Sequence, residues 1–143
     1  MAQKQIDWSN LGFGYIKTDK RFVATYKDGQ WSEGKLVEDE TIVLHESACV
    51  LQYAQTVFEG LKAYRRADGK VQLFRPIENI RRLNRSAERL CLPELPEELG
   101  MEVLTAFVNM EQDWTPSAPG TSLYLRPFLF GNDETLGVHA VHH

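Results

Sequence analysis

The chain has 143 residues, a formal net charge of −4 and two cysteines. A length of this order suits one domain and buries roughly 68–70% of the unfolded surface, and the mild acidic balance argues against nucleic acid or an anionic membrane as the main partner. Cys49 and Cys91 make no disulfide framework and have no metal spacing, so both read as reduced, buried thiols. The N-terminus lacks the apolar core of a signal peptide and no run of 18 apolar residues occurs, so a soluble, cytoplasmic protein with no membrane partner is expected.

Residues 1–12 are polar and read as a loose arm. Phe13 to Asp19 has some strand character. Phe22, Ala24 and Tyr26 alternate with Val23 and Thr25, Asp28-Gly29 supplies a hairpin turn, and Trp31 to Val37 returns, weakened by Gly34. Glu38-Asp-Glu40 reads as a solvated acidic loop rather than a metal site. Ile42-Val-Leu44 is a short buried strand candidate, and the lone His45 after it reads as a hydrogen-bonded structural histidine, because no second ligand has metal spacing.

The stretch from Leu51 to Leu90 organises the rest. Leu61, Ala63 and Arg65 alternate with Lys62, Tyr64 and Arg66, Asp68-Gly69 marks a second hairpin with a two-residue turn, and Val71, Leu73 and Arg75 form the return strand. Pro76 stops that strand and opens a helix whose apolar stripe is Ile77, Ile80, Leu83, Ala87 and Leu90. Leu92-Pro-Glu-Leu-Pro96 ends it. A second helix carries Leu99, Val103, Phe107, Met110 and Trp114 on a core stripe, with Gly100 costing roughly 1 kcal/mol against Ala. Residues 115–120 form a loop. Thr121 to Phe130 is a strand with Ser122, Tyr124, Arg126, Phe128 and Phe130 on one face, and Pro127 makes it an edge or breaks it near its end. Gly131-Asn-Asp-Glu reads as a turn. The expected fold class is α+β, a mainly antiparallel sheet with two helices packed on it.

Some arginines attract attention for chemistry. Arg81, Arg85 and Arg89 share a helix face, with Arg82 about 100° from the start of that row. Spacing alone reads them as a solvated basic face, with Glu78 paired to Arg82 at i,i+4. Tyr124 and Arg126 point the same way from one strand, their Cα atoms roughly 6.6 Å apart. An arginine within a face of Tyr and Phe needs an anion or several acceptors to offset its desolvation.

Tyr53-Ala-Gln-Thr-Val-Phe-Glu-Gly60, Leu73-Phe-Arg-Pro76, Ile80-Arg-Arg-Leu-Asn-Arg-Ser-Ala87 and Gly120-Thr-Ser-Leu-Tyr-Leu-Arg-Pro127 occur in that order. They resemble the branched-chain amino-acid aminotransferases, pyridoxal-phosphate (PLP) enzymes of fold type IV. The match runs from about Phe13 to about Gly137 and covers only what the family uses as its N-terminal small domain. The resemblance implies an arm at 1–12, the small domain at 13–137 and a tail at 138–143, where an interdomain linker or a cloning remnant ending in His142 and His143 begins.

It further implies that Arg82 holds the cofactor phosphate, a task suited to a planar guanidinium fork. Tyr124 and Arg126 are implied near the carboxylate of the amino acid, with Phe13 and Tyr53 lining the substrate pocket and Tyr53 reaching a partner subunit's. From the residues alone, Phe13 and Tyr53 read as core and Tyr124 and Arg126 as surface. Transamination needs a lysine that bonds the cofactor and moves the α-proton. The lysines here stand at 4, 17, 20, 27, 35, 62 and 70, and Lys62, within the matched blocks, fits no such position. The resemblance therefore implies a PLP-dependent homodimer that exchanges an amino group between leucine, isoleucine or valine and 2-oxoglutarate, with the 143 residues inactive by themselves. A D-amino-acid aminotransferase or aminodeoxychorismate lyase of the same fold type is one alternative. A non-catalytic binding or dimerisation module is another.

Overall fold

The computed structural model describes residues 6–141. The first five residues of the predicted arm, with Lys4, lie outside the described residues, as do His142 and His143. The fold class is the expected α+β: every strand pairing is antiparallel, and two long helices pack together and onto the strands.

The N-terminal ribbon is split. β1 (Arg21–Val23) pairs with β4 (Lys35–Val37), and β2 (Tyr26–Lys27) pairs with β3 (Gln30–Trp31). Asp28 and Gly29 both have positive φ (51° and 83°), which is the two-residue type I′ hairpin turn that their sequence demands. Gly34 (φ 75°) breaks the return strand because a Cβ there would run into the Phe22 ring. Trp31 Nε1 donates to the Glu94 carbonyl at 2.9 Å and ties the ribbon to the helical side. Two expected strands are not formed. Among the described residues, 13–19 and 42–44 lie in no strand pairing, with Phe13 79% and Val43 93% exposed; Asp19 N–H instead bonds the Glu111 carboxylate at 3.1 Å.

The central element is a long two-stranded ladder with one interruption. β5 (Thr56–Phe58) pairs with β9 (Phe128–Phe130), and β6 (Leu61–Arg65) pairs with β8 (Leu123–Leu125). Phe58 opposes Phe128 and Leu61 opposes Leu125, so the register carries through and sets Glu59 and Gly60 against Pro127 and Arg126. Pro127 has no N–H to give and breaks the second strand where expected, yet its carbonyl accepts the Glu59 N–H at 2.9 Å. β7 (Val71–Leu73) adds to the other side of β6. Its hairpin differs from the first: Arg66 N–H bonds the Lys70 carbonyl and only Gly69 has positive φ (83°), giving a three-residue Ala67-Asp68-Gly69 loop. Arg65 fastens that loop, donating to the carbonyls of Gly69, Thr115 and Gln112.

Alternation decides the faces. Val57, Glu59, Leu61 and Ala63 are buried, while Phe58, Lys62 and Tyr64 are exposed. The buried face meets the helices in two apolar clusters. Val57, Leu83, Ala87, Leu92 and Val141 form one, with Leu129 against it; Leu61, Ala63, Leu104, Val108 and Leu125 form the other.

α2 (Pro76–Arg89) starts at the expected proline and buries Ile80, Leu83, Asn84 and Ala87, whereas Leu90 falls just past its end and is exposed. Asn84 bonds both the N–H and the carbonyl of Leu95, which pins the connection to α3 (Glu97–Met110). The buried line of α3 is Gly100, Leu104 and Val108, one position on from the predicted stripe; Leu99, Val103 and Phe107 flank it half-buried and Met110 is exposed. Gly100 explains the shift. A Cβ there would approach the Ile80 and Leu95 side chains to 3.1–3.2 Å, so the glycine makes room for Ile80 of α2 and for the connection. A 3₁₀ turn, Gln112–Trp114, follows α3.

Cys49 begins the short helix α1 (Cys49–Tyr53) and is buried, but Cys91 is exposed and left-handed (φ 53°), closing α2 with the Leu92 N–H on the Ala87 carbonyl. Gly131 to Asp133 is a packed segment rather than a surface turn: the carbonyls of Gly131 and Asp133 receive the N–H groups of Val50 and Cys49. Val141 reaches the first cluster, so core contacts continue to the end of the described chain. His45 is hydrogen-bonded, to Ser47 at 2.8 Å, on the surface.

Candidate active site

The open face of the ladder carries an aromatic and cationic group. Gly60 lets the Tyr124 side chain lie across the strand, since a Cβ at 60 would sit 2.6 Å from Tyr124 Oη. Arg126, next on that face, places its guanidinium 4.3 Å from the Phe58 ring centroid and 5.6 Å from that of Tyr124, within cation–π range. Its Nη2 donates to Tyr124 Oη at 3.4 Å. Phe13 reaches over from the N-terminal segment, its ring 5.1 Å from that of Tyr124 at 60°. Phe128 and Phe130 stack on each other at 5.9 Å along the same strand. An arginine in this company keeps donors free for an anion, with apolar surface around it.

The core face carries a second polar group at the same point of the ladder. Glu59 alternates with Val57 and Leu61 and is 4% exposed. Its carboxylate accepts from Arg82 Nε at 2.6 Å and Nη2 at 2.7 Å, and from Asn79 Nδ2 at 3.0 Å. Asn79 also donates to the Gly60 carbonyl at 3.4 Å. Burial pushes the Glu59 carboxyl up, but the Arg82 and Asn79 hydrogen bonds and the Arg82 charge outweigh it and hold the group below the ordinary carboxylate value. Hydrogen bonding to Glu59 raises Arg82 in turn. The expected Glu78–Arg82 pair does not form. Glu78 lies 3.2 Å from Arg81 and 3.6 Å from Arg75, because Arg82 is drawn to the buried carboxylate instead.

Of the residues singled out from the sequence, Phe13, Tyr124 and Arg126 come together on the open face, whereas Arg82 is held by Glu59 on the core face of the ladder. Tyr53 sits at the exposed end of α1, with no ring contact or hydrogen bond to that group among the described residues. Lys62 opposes Tyr124 in register on the exposed face. Sequence reasoning missed Glu59, Asn79 and Phe58. A carboxylate set in the alternating core face Val57-x-Glu59-x-Leu61 was the signal for the first.

A second polar cluster has a different character. Cys49 Sγ lies 3.9 Å from His139 Nε2, and His139 Nδ1 lies 3.7 Å from Asp133. Burial first, then the Asp133 charge, pushes the thiol up, and Thr135 Oγ1 is 2.5 Å from that same Nε2. This is a structural knot rather than a nucleophile. No group of three or more His, Cys, Asp or Glu side chains suited to a metal occurs among the described residues, and no helix there is long and apolar enough to cross a membrane.

No family model matches the chain. Individual proteins do. It is 52% identical over 136 residues to the branched-chain-amino-acid aminotransferase of Haemophilus influenzae, covering 94% of this chain and 40% of that protein. It is 50% identical over 135 residues to the branched-chain-amino-acid transaminase 1 of Bacillus subtilis, covering 94% and 38%. The chain thus spans about two fifths of the length of the curated relatives it matches. Among solved structures, the Escherichia coli branched-chain amino acid aminotransferase superposes with a TM-score of 0.63 at 25% identity, covering 87% of this chain and 36% of that one. A second branched-chain amino acid aminotransferase, complexed with N-(5'-phosphopyridoxyl)-L-glutamate, gives 0.66 at 24% identity, covering 88% and 37%, a likeness of fold. By sequence and by fold, the chain matches the small N-terminal part of the branched-chain-amino-acid aminotransferases.

Proposed function

We propose that these residues, from about 13 to 137, serve as the small domain of a PLP-dependent transaminase that moves an amino group between leucine, isoleucine or valine and 2-oxoglutarate, in a cytoplasmic homodimer. The observation that supports it best is the Arg126–Tyr124–Phe58 face, an arginine set among aromatic rings; the Arg82 fork held by Glu59 on the other face of the ladder adds to it. The donor set suits the cofactor at its phosphate end. Arg82 has five N–H donors, of which Glu59 takes two, and its side chain is 58% exposed, so the rest of the fork is open to phosphate oxygens.

When bound, PLP supplies an electron sink for the substrate's α-carbon. The work left to this chain is binding and orientation. Arg82 fixes the phosphate. Arg126 and Tyr124 hold the substrate carboxylate, the guanidinium by charge and the phenol by a directed O–H. Phe58 and Phe13 offer apolar surface to a branched side chain. Tyr53, away from this group, serves a partner subunit's pocket in this reading. The proton-moving lysine belongs to another part of the enzyme, since Lys62 stands across from Tyr124 on the exposed face of its strand and resembles no such position. Arg82→Ala and Arg82→Lys test the anchor by titration with pyridoxamine 5′-phosphate. Lysine keeps the charge and loses the fork, so the expected order of affinity is wild type, Arg82→Lys, Arg82→Ala. Equal affinity in wild type and Arg82→Ala would put the phosphate elsewhere.

A further inference from the structure

We propose that Glu59 is a positioning residue for the cofactor phosphate: it clamps one edge of the Arg82 guanidinium so that the opposite edge is presented, fixed in orientation, to the dianion. The inference rests on the phosphate role given to Arg82 above. A carboxylate next to an anion site is unexpected on charge alone, since it repels the phosphate that Arg82 attracts. Geometry argues the other way. Both Glu59 oxygens are used, at 2.6 and 2.7 Å, on Nε and Nη2, which is the bidentate pairing that fixes the plane of the fork. Glu59 is itself immobile. It is 4% exposed, its N–H is held by the Pro127 carbonyl, and Asn79 caps Oε2 from the preceding turn of the same helix as Arg82. A rigid, buried carboxylate behind a half-exposed arginine removes rotamer freedom that phosphate binding would otherwise have to remove.

Charge and geometry predict opposite signs, so the experiment decides. The 143-residue chain is titrated with pyridoxamine 5′-phosphate and with pyridoxamine, two probes that share a ring and differ in the phosphate. The affinity ratio between them isolates the phosphate contact from any general loosening, which lowers both. Circular dichroism and the thermal midpoint confirm folding of each variant. The ratio is expected to fall about tenfold in Glu59→Gln, comparable to the lower end of what loss of a supporting partner costs at metal sites, and further in Glu59→Ala. Asn79→Ala should give a smaller fall of the same sign. Should Glu59→Ala not fold, Glu59→Gln and Asn79→Ala carry the test, and the ¹⁵N signal of Arg82 Nε–H, slow to exchange in wild type and fast in both variants, gives an independent readout. An unchanged or increased ratio in folded Glu59→Gln, with Arg82→Ala abolishing it, overturns the positioning role and leaves the Arg82 anchor standing. A wild-type ratio of one, indifferent to Arg82→Ala, overturns the anchor itself and this inference with it.

Discussion

Glu59 and Arg82 form a two-oxygen, two-nitrogen pair between the end of β5 and α2, with the carboxylate 4% exposed and the arginine side chain 58% exposed. The asymmetry fixes how the pair responds to acid. The Glu59 carboxyl titrates below its ordinary value in the fold, so its contribution to stability is complete above the unfolded carboxylate range, near pH 4.3, and is lost as pH falls through the depressed value. Thermal midpoints measured between pH 7 and pH 2 should therefore drop more steeply in wild type than in Glu59→Gln, with the two curves converging at the acid end. Parallel curves would show that the pair contributes no linkage.

Gly60 is required by space, not by backbone conformation. An added Cβ meets Tyr124 Oη at 2.6 Å and ring atoms at 3.1–3.2 Å. Gly60→Ala should push the Tyr124 ring off the strand and separate it from Arg126, at a cost of about 1–3 kcal/mol for overpacking. Urea unfolding gives the energy, and the Tyr124 ring resonances report the displacement. An unmoved ring at unchanged stability would contradict the close approach.

Cys91 occupies a left-handed conformation at an exposed helix end where glycine is the usual residue. Cys91→Gly should stabilise the chain by up to about 1 kcal/mol, the relief of left-handed strain less the added freedom of the unfolded chain. The same substitution removes the accessible thiol, so titration with a thiol reagent under native conditions should fall from one reactive group to none, Cys49 being buried.

Much of this arrangement was legible in the sequence where local rules act alone. Asp28-Gly29 announced a two-residue turn and Pro127 a strand break, and both formed, through the positive φ of the first pair and the missing donor of the second; Asp68-Gly69, the same dipeptide, closed a three-residue loop instead, so even this signal yields to its surroundings. Other features depended on partners that sequence does not display. Ile42-Val-Leu44 has strand composition but lies in no strand pairing among the described residues. The core line of α3 moved by one residue because Gly100 admits Ile80. Arg82 left Glu78 for Glu59, a residue far away in sequence that the ladder brings beneath it. Within the candidate site, Arg126 and Tyr124 follow from their spacing on one strand, whereas the bond from Arg82 to the buried carboxylate could be read only once β5 and α2 were in place.

Several large apolar side chains are exposed. Phe13, Phe58, Phe74 and Phe128 are 79%, 58%, 78% and 48% exposed and Tyr53 is 42% exposed, while Phe130, on the same strand face as Phe128, is half-buried. Exposed apolar patches of a few hundred Å² usually mark interfaces, and two-fold closure is the commonest outcome. Sedimentation over a concentration series should show reversible self-association, with a dimer as the first species. A single species of 16.4 kDa at all concentrations would mean that these side chains are tolerated singly in water.

The function proposed above divides the labour, with this chain binding the phosphate and the substrate carboxylate and another part of the enzyme carrying the lysine. The most direct measurement is to incubate the 143-residue chain with PLP, reduce with borohydride and map modified lysines by peptide mass spectrometry. Weak, substoichiometric labelling scattered over exposed lysines is predicted, with no amino transfer from leucine to 2-oxoglutarate. One stoichiometric adduct at a single lysine would contradict the division.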